Sequence, residues 1–395
     1  MRYEAVHGTM HEAIHETIRK EARYKRGMFG GSFDPLHTGH LQVMLEAAAC
    51  CEKLYIVLSY SRKLDSVPME YRYRWIRESL AHLSNVEILL LEDDAKTKED
   101  YDSNAYWEKG RDEVLSQAGG PLDVVFCGSD YAGTGRYEGL YGCPVVYFDR
   151  RVIPVSSSEI RENPLRFWAY LPKAVRPYYV KRILLVGGES TGKSTLAASL
   201  SLAYDTNYLE EVGREVCGRA GAEELMVPED FQEILLRHKL KEMELIRESN
   251  RFLFIDTEAL TTKFYARFLL GSSAPEKPAS DSPAAEGSAL DGLTTGEIFM
   301  KTAETETIEN DAVRKIDALA DAITAINRFD LILFLEPTVD FVQDGTRNPK
   351  IEAEREKYSC QIKALLDLAG LKYHCLSGGH QERFEEAKKL VGSLL

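Results

Sequence analysis

Two short stretches of the chain carry side chains that could do chemistry. In "GMFGGSFDPLHTGHLQ" (27–42), His37 and His40 stand three residues apart, with glycines on both sides and an apolar segment before them. In "GGESTGKST" (187–195), the spacing G-x-x-x-x-G-K-S runs from Gly187 to Ser194, after the apolar "RILLVG" and before the helical "TLAASLSLAY". Each reads as a strand that delivers a glycine-rich turn to the start of a helix. There, unpaired N–H groups and the helix dipole favour an anionic ligand, above all phosphate.

At the first stretch, Gly30 and Gly31 let the backbone approach a ligand, and the strand brings Ser32 and Phe33 to the same edge. His37 and His40, at i and i+3, would project from the first helical turn toward one spot. Two imidazoles there suit a polyphosphate whose charge shifts during reaction, because they can donate hydrogen bonds to phosphate oxygens as a leaving group departs. A lone histidine in such a place would be an ordinary capping or surface residue. Here the whole string fits G-x-F-x-P-x-H-x-G-H at Gly31, Phe33, Pro35, His37, Gly39 and His40. That pattern resembles the nucleotidyltransferase superfamily, whose members transfer a nucleotidyl group from a nucleoside triphosphate and release pyrophosphate. The superfamily's second signature, a hydroxyl-rich turn ending in Ile-Arg, is similar to "VSSSEIR" (155–161). By itself that segment would be a helix cap. Paired with the first motif, Ser157, Ser158 and Arg161 would form a triphosphate cradle.

At the second stretch the strand–loop–helix context is what a Walker A loop requires. The residues that would cradle ATP are Gly187, Gly188, Glu189, Ser190, Thr191, Gly192, Lys193, Ser194 and Thr195, with Lys193 reaching the β- and γ-phosphates and Ser194 holding Mg²⁺. Asp256, at the end of "RFLFIDT", is suited to the metal ion or to accepting a substrate hydroxyl proton. "EEVGRE" (210–215) follows a predicted strand, so Glu211 and Arg214 could line an acceptor pocket, although a solvated charge run reads the same way. Arg347 in "DGTRN" (344–348) sits on a predicted loop from which it could close over the transferring phosphoryl group.

The elements that must position these residues alternate throughout the chain. Short apolar runs such as "KLYIVLS", "VEILLLE", "LDVVFCG", "RFLFIDT" and "DLILFLE" are separated by amphipathic helical patterns. Buried strands alternating with helices imply parallel sheets covered on both faces. The pattern starts twice, near Lys25 and near Lys181. The fold class expected is α/β, with two tandem doubly wound parallel-sheet domains: a Rossmann-like nucleotidyltransferase, then a P-loop kinase. The boundaries read from sequence are a helical extension over 1–24, the first domain over 25–165, a packed connector over 166–181 and the second domain over 182–395. An Ala/Ser/Pro/Gly-rich insertion of about 271–305 cannot bury enough apolar surface to order itself. "FCGSDYAGTGRYEG" (126–139) lacks a dinucleotide fingerprint and reads as loop.

Composition narrows the classes. With 63 acidic against 49 basic residues and a net charge of −14, the surface as a whole is a poor match for a nucleic-acid backbone, and no nucleic acid is expected as a partner. Seven scattered cysteines without a CxxC spacing suggest reduced thiols, neither a zinc knuckle nor a disulfide framework. No apolar run reaches the ~18 residues that a membrane helix needs, and no signal peptide opens the chain, so a cytoplasmic location is expected. Oligomeric state is left open, a homo-oligomer included.

A nucleotidyltransferase followed by a P-loop kinase on one chain is a narrower observation than either motif. The order, the junction "IRENPLRFWAYLP" before "RILLVGGESTGKSTL", and "FIDTEALTTKF" and "DGTRN" resemble the bifunctional nicotinamide-nucleotide adenylyltransferase/ribosylnicotinamide kinase (NadR-type) family. The resemblance implies a salvage enzyme with ATP as co-substrate at both sites and Mg²⁺ as cofactor. Its kinase would phosphorylate nicotinamide riboside to nicotinamide mononucleotide (NMN), and its transferase would join NMN to AMP, giving NAD and pyrophosphate. It also places Trp107, in "YDSNAYWEKGRDEV", where the family stacks the pyridinium ring. The chain departs from the family pattern at Ser32 and Asp34, in a segment that often holds a lysine, and at Glu258, where aspartate is frequent. The segment before Lys25 is too short for the DNA-binding domain that some members carry, so no operator binding is expected. Two other readings are open: a fused phosphopantetheine adenylyltransferase and dephospho-coenzyme A kinase, and a catalytically weak nucleotide-sensing regulator.

Overall fold

The computed structural model describes residues 23–93, 103–149, 151–270, 303–342 and 352–395. Nearly all of the helical extension read over 1–24, nearly all of the 271–305 segment and Arg347 therefore lie outside the described residues. The chain divides into two compact units, residues 1–179 and 180–394.

In the first unit, β1 (Tyr24–Gly31), β2 (Cys51–Tyr60), β3 (Val86–Glu92), β4 (Val124–Gly128) and β5 (Val145–Phe148) form one sheet in the order β3-β2-β1-β4-β5. Every pairing is parallel. The crossovers carry α1 (Thr38–Cys50), α2 (Met69–Ser79), α3 (Asn104–Ala118) and α4 (Arg136–Tyr141), and α5 (Ser157–Glu162) follows β5. The chain runs outward from β1 to β3 and then returns to place β4 against β1. Strand order thus reverses beside β1, the point at which open α/β sheets bind ligands. One face of the sheet closes over Met28, Tyr55, Val57, Leu89 and Val125, packed against Val114 and Ala118 of α3. The segment read as loop over 126–139 differs from that reading. A helical turn covers Ser129–Tyr131, and α4 begins at Arg136 after Gly135 turns left-handed at φ +63°. After α5, a short helix α6 (Arg176–Tyr179) ends the unit, with Trp168, Leu171 and Val175 buried before it.

In the second unit, β6 (Lys181–Val186), β7 (Tyr208–Leu209), β8 (Phe252–Asp256), β9 (Leu331–Leu335) and β10 (His374–Leu376) give the order β10-β9-β6-β8-β7. All pairs are again parallel. Its helices are α7 (Lys193–Ala203), α8 (Val212–Ala220), α9 (Pro228–Leu245), α10 (Ala259–Leu270), α11 (Ala303–Ile326), α12 (Arg355–Leu368) and α13 (His380–Gly392). β8 and β9 are buried at every position, as strands covered on both faces must be. Val216, Phe231, Ile234, Ile316 and Ala320 join α8, α9 and α11 in a second core, each large apolar side chain contributing about 1.5–3 kcal/mol. The α/β class with two doubly wound parallel sheets is therefore what the chain adopts. Among the described residues no helix is long and apolar enough to cross a membrane. Among the described residues the seven cysteines form no disulfide.

Candidate active sites

Beyond the carboxyl edge of β1 and β4 lies a cavity of about 1260 Å³. Gly30, Gly31, Ser32, Phe33, His37, His40, Trp107, Ser157, Ser158 and Arg161 all line it, so the structure brings together every residue predicted for this site. His37 is the N-cap of α1: its Nδ1 accepts the Gly39 N–H at 3.2 Å, while the His37 N–H donates to His40 Nδ1 at 3.4 Å. The two rings stack with centroids 3.6 Å apart. An Nδ1 that accepts carries no proton, so each neutral ring bears its hydrogen on Nε2 and can donate it. Gly39 makes room for this stack, since a Cβ there would lie 3.0 Å from the His37 ring. Phe33 holds φ +50°, a costly angle for a bulky residue, and packs edge-on against His40.

The second motif docks onto the first. Ser156 caps α5 together with Glu159, Ser157 Oγ donates to Pro35 O at 3.0 Å, and Arg161 donates to the Asp34 carbonyl and to Ser158 Oγ. Asp34, visible in sequence only as a departure from the family pattern, and Arg72, which sequence reasoning misses, support the site from behind its lining. The buried Asp34 carboxylate accepts the Ser66 and Val67 N–H groups at 2.9 Å each and lies 3.7 Å from Arg161. Arg72 is 1% exposed, donates to Ser32 O at 2.6 Å and pairs with Asp65 at 2.5 Å. Most of these partners lie far apart in sequence, up to 127 positions for Arg161 and Asp34, so local spacing gives no sign of them.

In the second unit a cavity of about 220 Å³ runs from the P-loop between α8, α9 and α10. Glu189, Ser190, Thr191, Gly192, Lys193, Ser194, Thr195, Glu211 and Arg214 line it, whereas Gly187, Gly188 and Asp256 do not. Gly187 sits at φ +152° where a Cβ would meet the Leu335 carbonyl at 2.6 Å, so the loop can pass β9 only as glycine. Lys193 Nζ is folded back onto Gly188 O at 2.9 Å, and Thr191 Oγ1 bonds the same carbonyl. Arg383 on α13 supports the loop from outside, donating to Thr191 O, Glu336 O and Thr338 Oγ1. Arg355 donates to Ser190 O at 3.3 Å.

Asp256 is fully buried. Its Oδ2 accepts from Ser194 Oγ at 2.5 Å, and Arg214 donates to the same hydroxyl at 3.3 Å. A hydroxyl and a carboxylate at that spacing, both hard oxygen donors, fit a magnesium ion, which takes one or two protein ligands and completes its shell from phosphates and water. Glu258, two residues on, does line the cavity. Its Oε1 accepts from Leu260 N–H at 2.8 Å and Thr261 N–H at 3.3 Å, capping α10, while Oε2 has no hydrogen-bond partner. Burial raises this carboxyl to about 7, against the pull of the helix N–H groups. His238 lines the same wall, with Nε2 3.2 Å from Asp256 O, and burial lowers its pKa, which keeps the ring neutral.

The chain belongs to the AAA domain family, whose profile matches residues 182–383, and the Cytidylyltransferase-like profile matches residues 28–163. The Trifunctional NAD biosynthesis/regulator protein NadR of Escherichia coli (strain K12) is 25% identical over 97% of this chain and 87% of its own length. The protein of the same name from Salmonella typhimurium matches to the same extent. Crystal structures of NadR protein in complex with NR, and in complex with NAD and AMP-PNP, superpose with TM-scores of 0.71 and 0.70 at 20% and 19% identity. Each covers 94% of this chain and 96% of that one. A Phosphopantetheine adenylyltransferase of Streptococcus pneumoniae is 38% identical over 18% of this chain and 44% of its own. The resemblance to the NadR type read from the motifs is thus borne out along nearly the whole chain.

Proposed function

We propose that the chain is a bifunctional enzyme of pyridine-nucleotide salvage, with a ribosylnicotinamide kinase in the second unit and an NMN adenylyltransferase in the first. The observation that carries this is the presence of both nucleotide sites, each opening into a cavity of its own, on a chain similar over 97% of its length to a NAD-biosynthetic protein.

In the kinase, the P-loop N–H groups hold the ATP phosphates, and Lys193 exchanges the Gly188 carbonyl for phosphate oxygen. Ser194 and Asp256 would hold a magnesium ion, which would supply positive charge to the triphosphate tail. The acceptor riboside fills the cavity between α8 and α10, where Glu258 Oε2 accepts a hydrogen bond from a ribose hydroxyl, while Glu211 and Arg214 flank the transfer path. Asp256, already bonded to Ser194 and away from the cavity wall, serves the metal ion and not the substrate hydroxyl.

In the adenylyltransferase the nucleophile is the phosphate of NMN, already anionic, so no base is needed. Its attack on the α-phosphorus of ATP expels pyrophosphate. The Nε2–H groups of His37 and His40 and the Arg161 guanidinium stabilise the charge that moves onto the β-phosphate. Ser157 and Ser158 complete the cradle, the Gly30–Phe33 backbone lies against the nucleotide, and Trp107 gives the pyridinium an aromatic face.

Incubation of the purified protein with Mg-ATP and nicotinamide riboside, with products resolved by mass, tests both assignments together. NMN and NAD are expected. Formation of neither, with phosphopantetheine or dephospho-coenzyme A consumed instead, would replace this reading with the coenzyme A one.

A further inference from the structure

The P-loop of the second unit is gripped from behind by two arginines. Arg355, the first residue of α12, donates to Ser190 O at 3.3 Å, and Arg383 of α13 donates to Thr191 O. Arg383 is 1% exposed, and its other terminal nitrogen donates to Glu336 O at 2.6 Å and to Thr338 Oγ1 at 2.7 Å. Every one of these partners is neutral. The Glu336 carboxylate pairs with Lys363 instead, and among the described residues no carboxylate pairs with Arg383. Burial and the nearby Arg355 cation lower the Arg383 pKa, but a guanidinium does not deprotonate in proteins, so the charge stays.

A buried cation that meets only dipoles is costly unless an anion comes close. The phosphate cradle is one loop's thickness away: a Cβ on Gly192 would lie 3.9 Å from the Arg383 guanidinium, and Gly192 lines the kinase cavity. The hydrogen bond to the loop also sets a direction. In a planar trans peptide the C=O and the following N–H point opposite ways. With Thr191 O turned out to Arg383, the Gly192 N–H turns toward the cradle, and Arg355 does the same for the Thr191 N–H through Ser190 O. Ser190 and Gly192 hold φ at +56° and +86°, left-handed angles of the kind that gather successive N–H groups into an anion nest.

We propose that Arg383 is a positioning residue for the phosphoryl donor: from behind the P-loop it aims the Gly192 N–H at the triphosphate, and its buried charge, which no carboxylate meets, favours that polyanion. The inference rests on the kinase reading given above and assigns a residue that acts through the loop without touching the substrate.

The test compares the wild-type protein with Arg383→Gln and Arg383→Lys. It measures riboside phosphorylation with ATP and riboside varied in turn, and the rise in the second unit's melting transition on adding Mg-AMP-PNP. In Arg383→Gln, kcat/KM for ATP should fall about 30-fold while the KM for riboside stays within about twofold. The rise given by AMP-PNP should shrink with it. Arg383→Lys, which keeps the charge and gives up the planar fork, should lose about fivefold. If the glutamine variant shows no second-unit transition, the lysine variant decides: an unchanged kcat/KM for ATP overturns the proposal. Equal changes in the KM for ATP and for riboside, or a full AMP-PNP shift in both variants, also overturn it and leave Arg383 a packing residue. If the wild type phosphorylates no riboside, the kinase reading fails and the AMP-PNP shift alone judges Arg383. Its weakening in both variants then upholds the donor role, and its persistence overturns it.

Discussion

Beyond β1 the first unit presents two imidazoles, serines and an arginine; beyond β6 the second presents a lysine, a hydroxyl and a buried carboxylate. Both sets stand at the start of a helix that follows the central strand of a parallel sheet, so the backbone supplies the same anion-binding geometry twice. What differs is the side-chain chemistry, and the difference follows the reaction each site is proposed to carry out. Adenylyl transfer to a phosphate starts from an anionic nucleophile, and the strain lies in the departing pyrophosphate, which hydrogen-bond donors meet. Phosphoryl transfer to a sugar starts from a neutral hydroxyl, which needs an acceptor to orient it, and from a crowded triphosphate tail, which needs cations.

With the chemistry divided in this way, substitutions should break one activity at a time. The largest effect is expected from Lys193→Ala, which removes the cation at the transferring group: riboside phosphorylation should fall about 10³-fold while adenylyl transfer to added mononucleotide persists. An unchanged phosphorylation rate would refute the P-loop assignment. His40→Ala should do the reverse, lowering adenylyl transfer by about 10²–10³-fold with phosphorylation retained. Steady-state assays of each half-reaction distinguish the two patterns.

A structural substitution sharpens the contrast. Arg72→Ala leaves the Asp65 carboxylate without its buried partner and releases the Ser32 carbonyl, at a cost of about 3 kcal/mol to the first unit. Calorimetry should show the first unit's transition lowered by about 6–12 °C with the second unit's unmoved. A uniform shift of both transitions would contradict two independently packed units. The smallest effect concerns Glu258→Gln, which keeps the shape but weakens the hydrogen-bond acceptor proposed to meet the riboside. The KM for riboside should rise about tenfold while the KM for ATP stays put. Equal change in both would move Glu258 out of the acceptor site.

Much of this is legible in the sequence because each nucleotide site is local. The strand, turn and first helical turn that make a phosphate cradle follow one another along a single short segment, and the identities of His37, His40, Lys193 and Ser194 declare their chemistry in that frame. The hidden residues act across the fold. Asp34 gains its meaning from the Ser66 and Val67 N–H groups and from Arg161, and Arg383 reaches a P-loop carbonyl 192 positions away. Glu258 is visible as a departure from a family pattern, but only the structure shows that it lines the cavity with a buried second oxygen while Asp256 turns to Ser194. Trp107 is placed by resemblance. Arg136 lies in a glycine-rich stretch that reads as loop and holds a helix instead.

The central claim, two separate active sites joined by a diffusible mononucleotide, is tested most directly by mixing the two inactive proteins. His40→Ala and Lys193→Ala, each alone with Mg-ATP and nicotinamide riboside, should make little or no NAD. An equimolar mixture should make it readily, the first protein supplying the mononucleotide and the second adenylylating it. A mixture that yields no more NAD than the separate variants would contradict the assignment of one reaction to each unit.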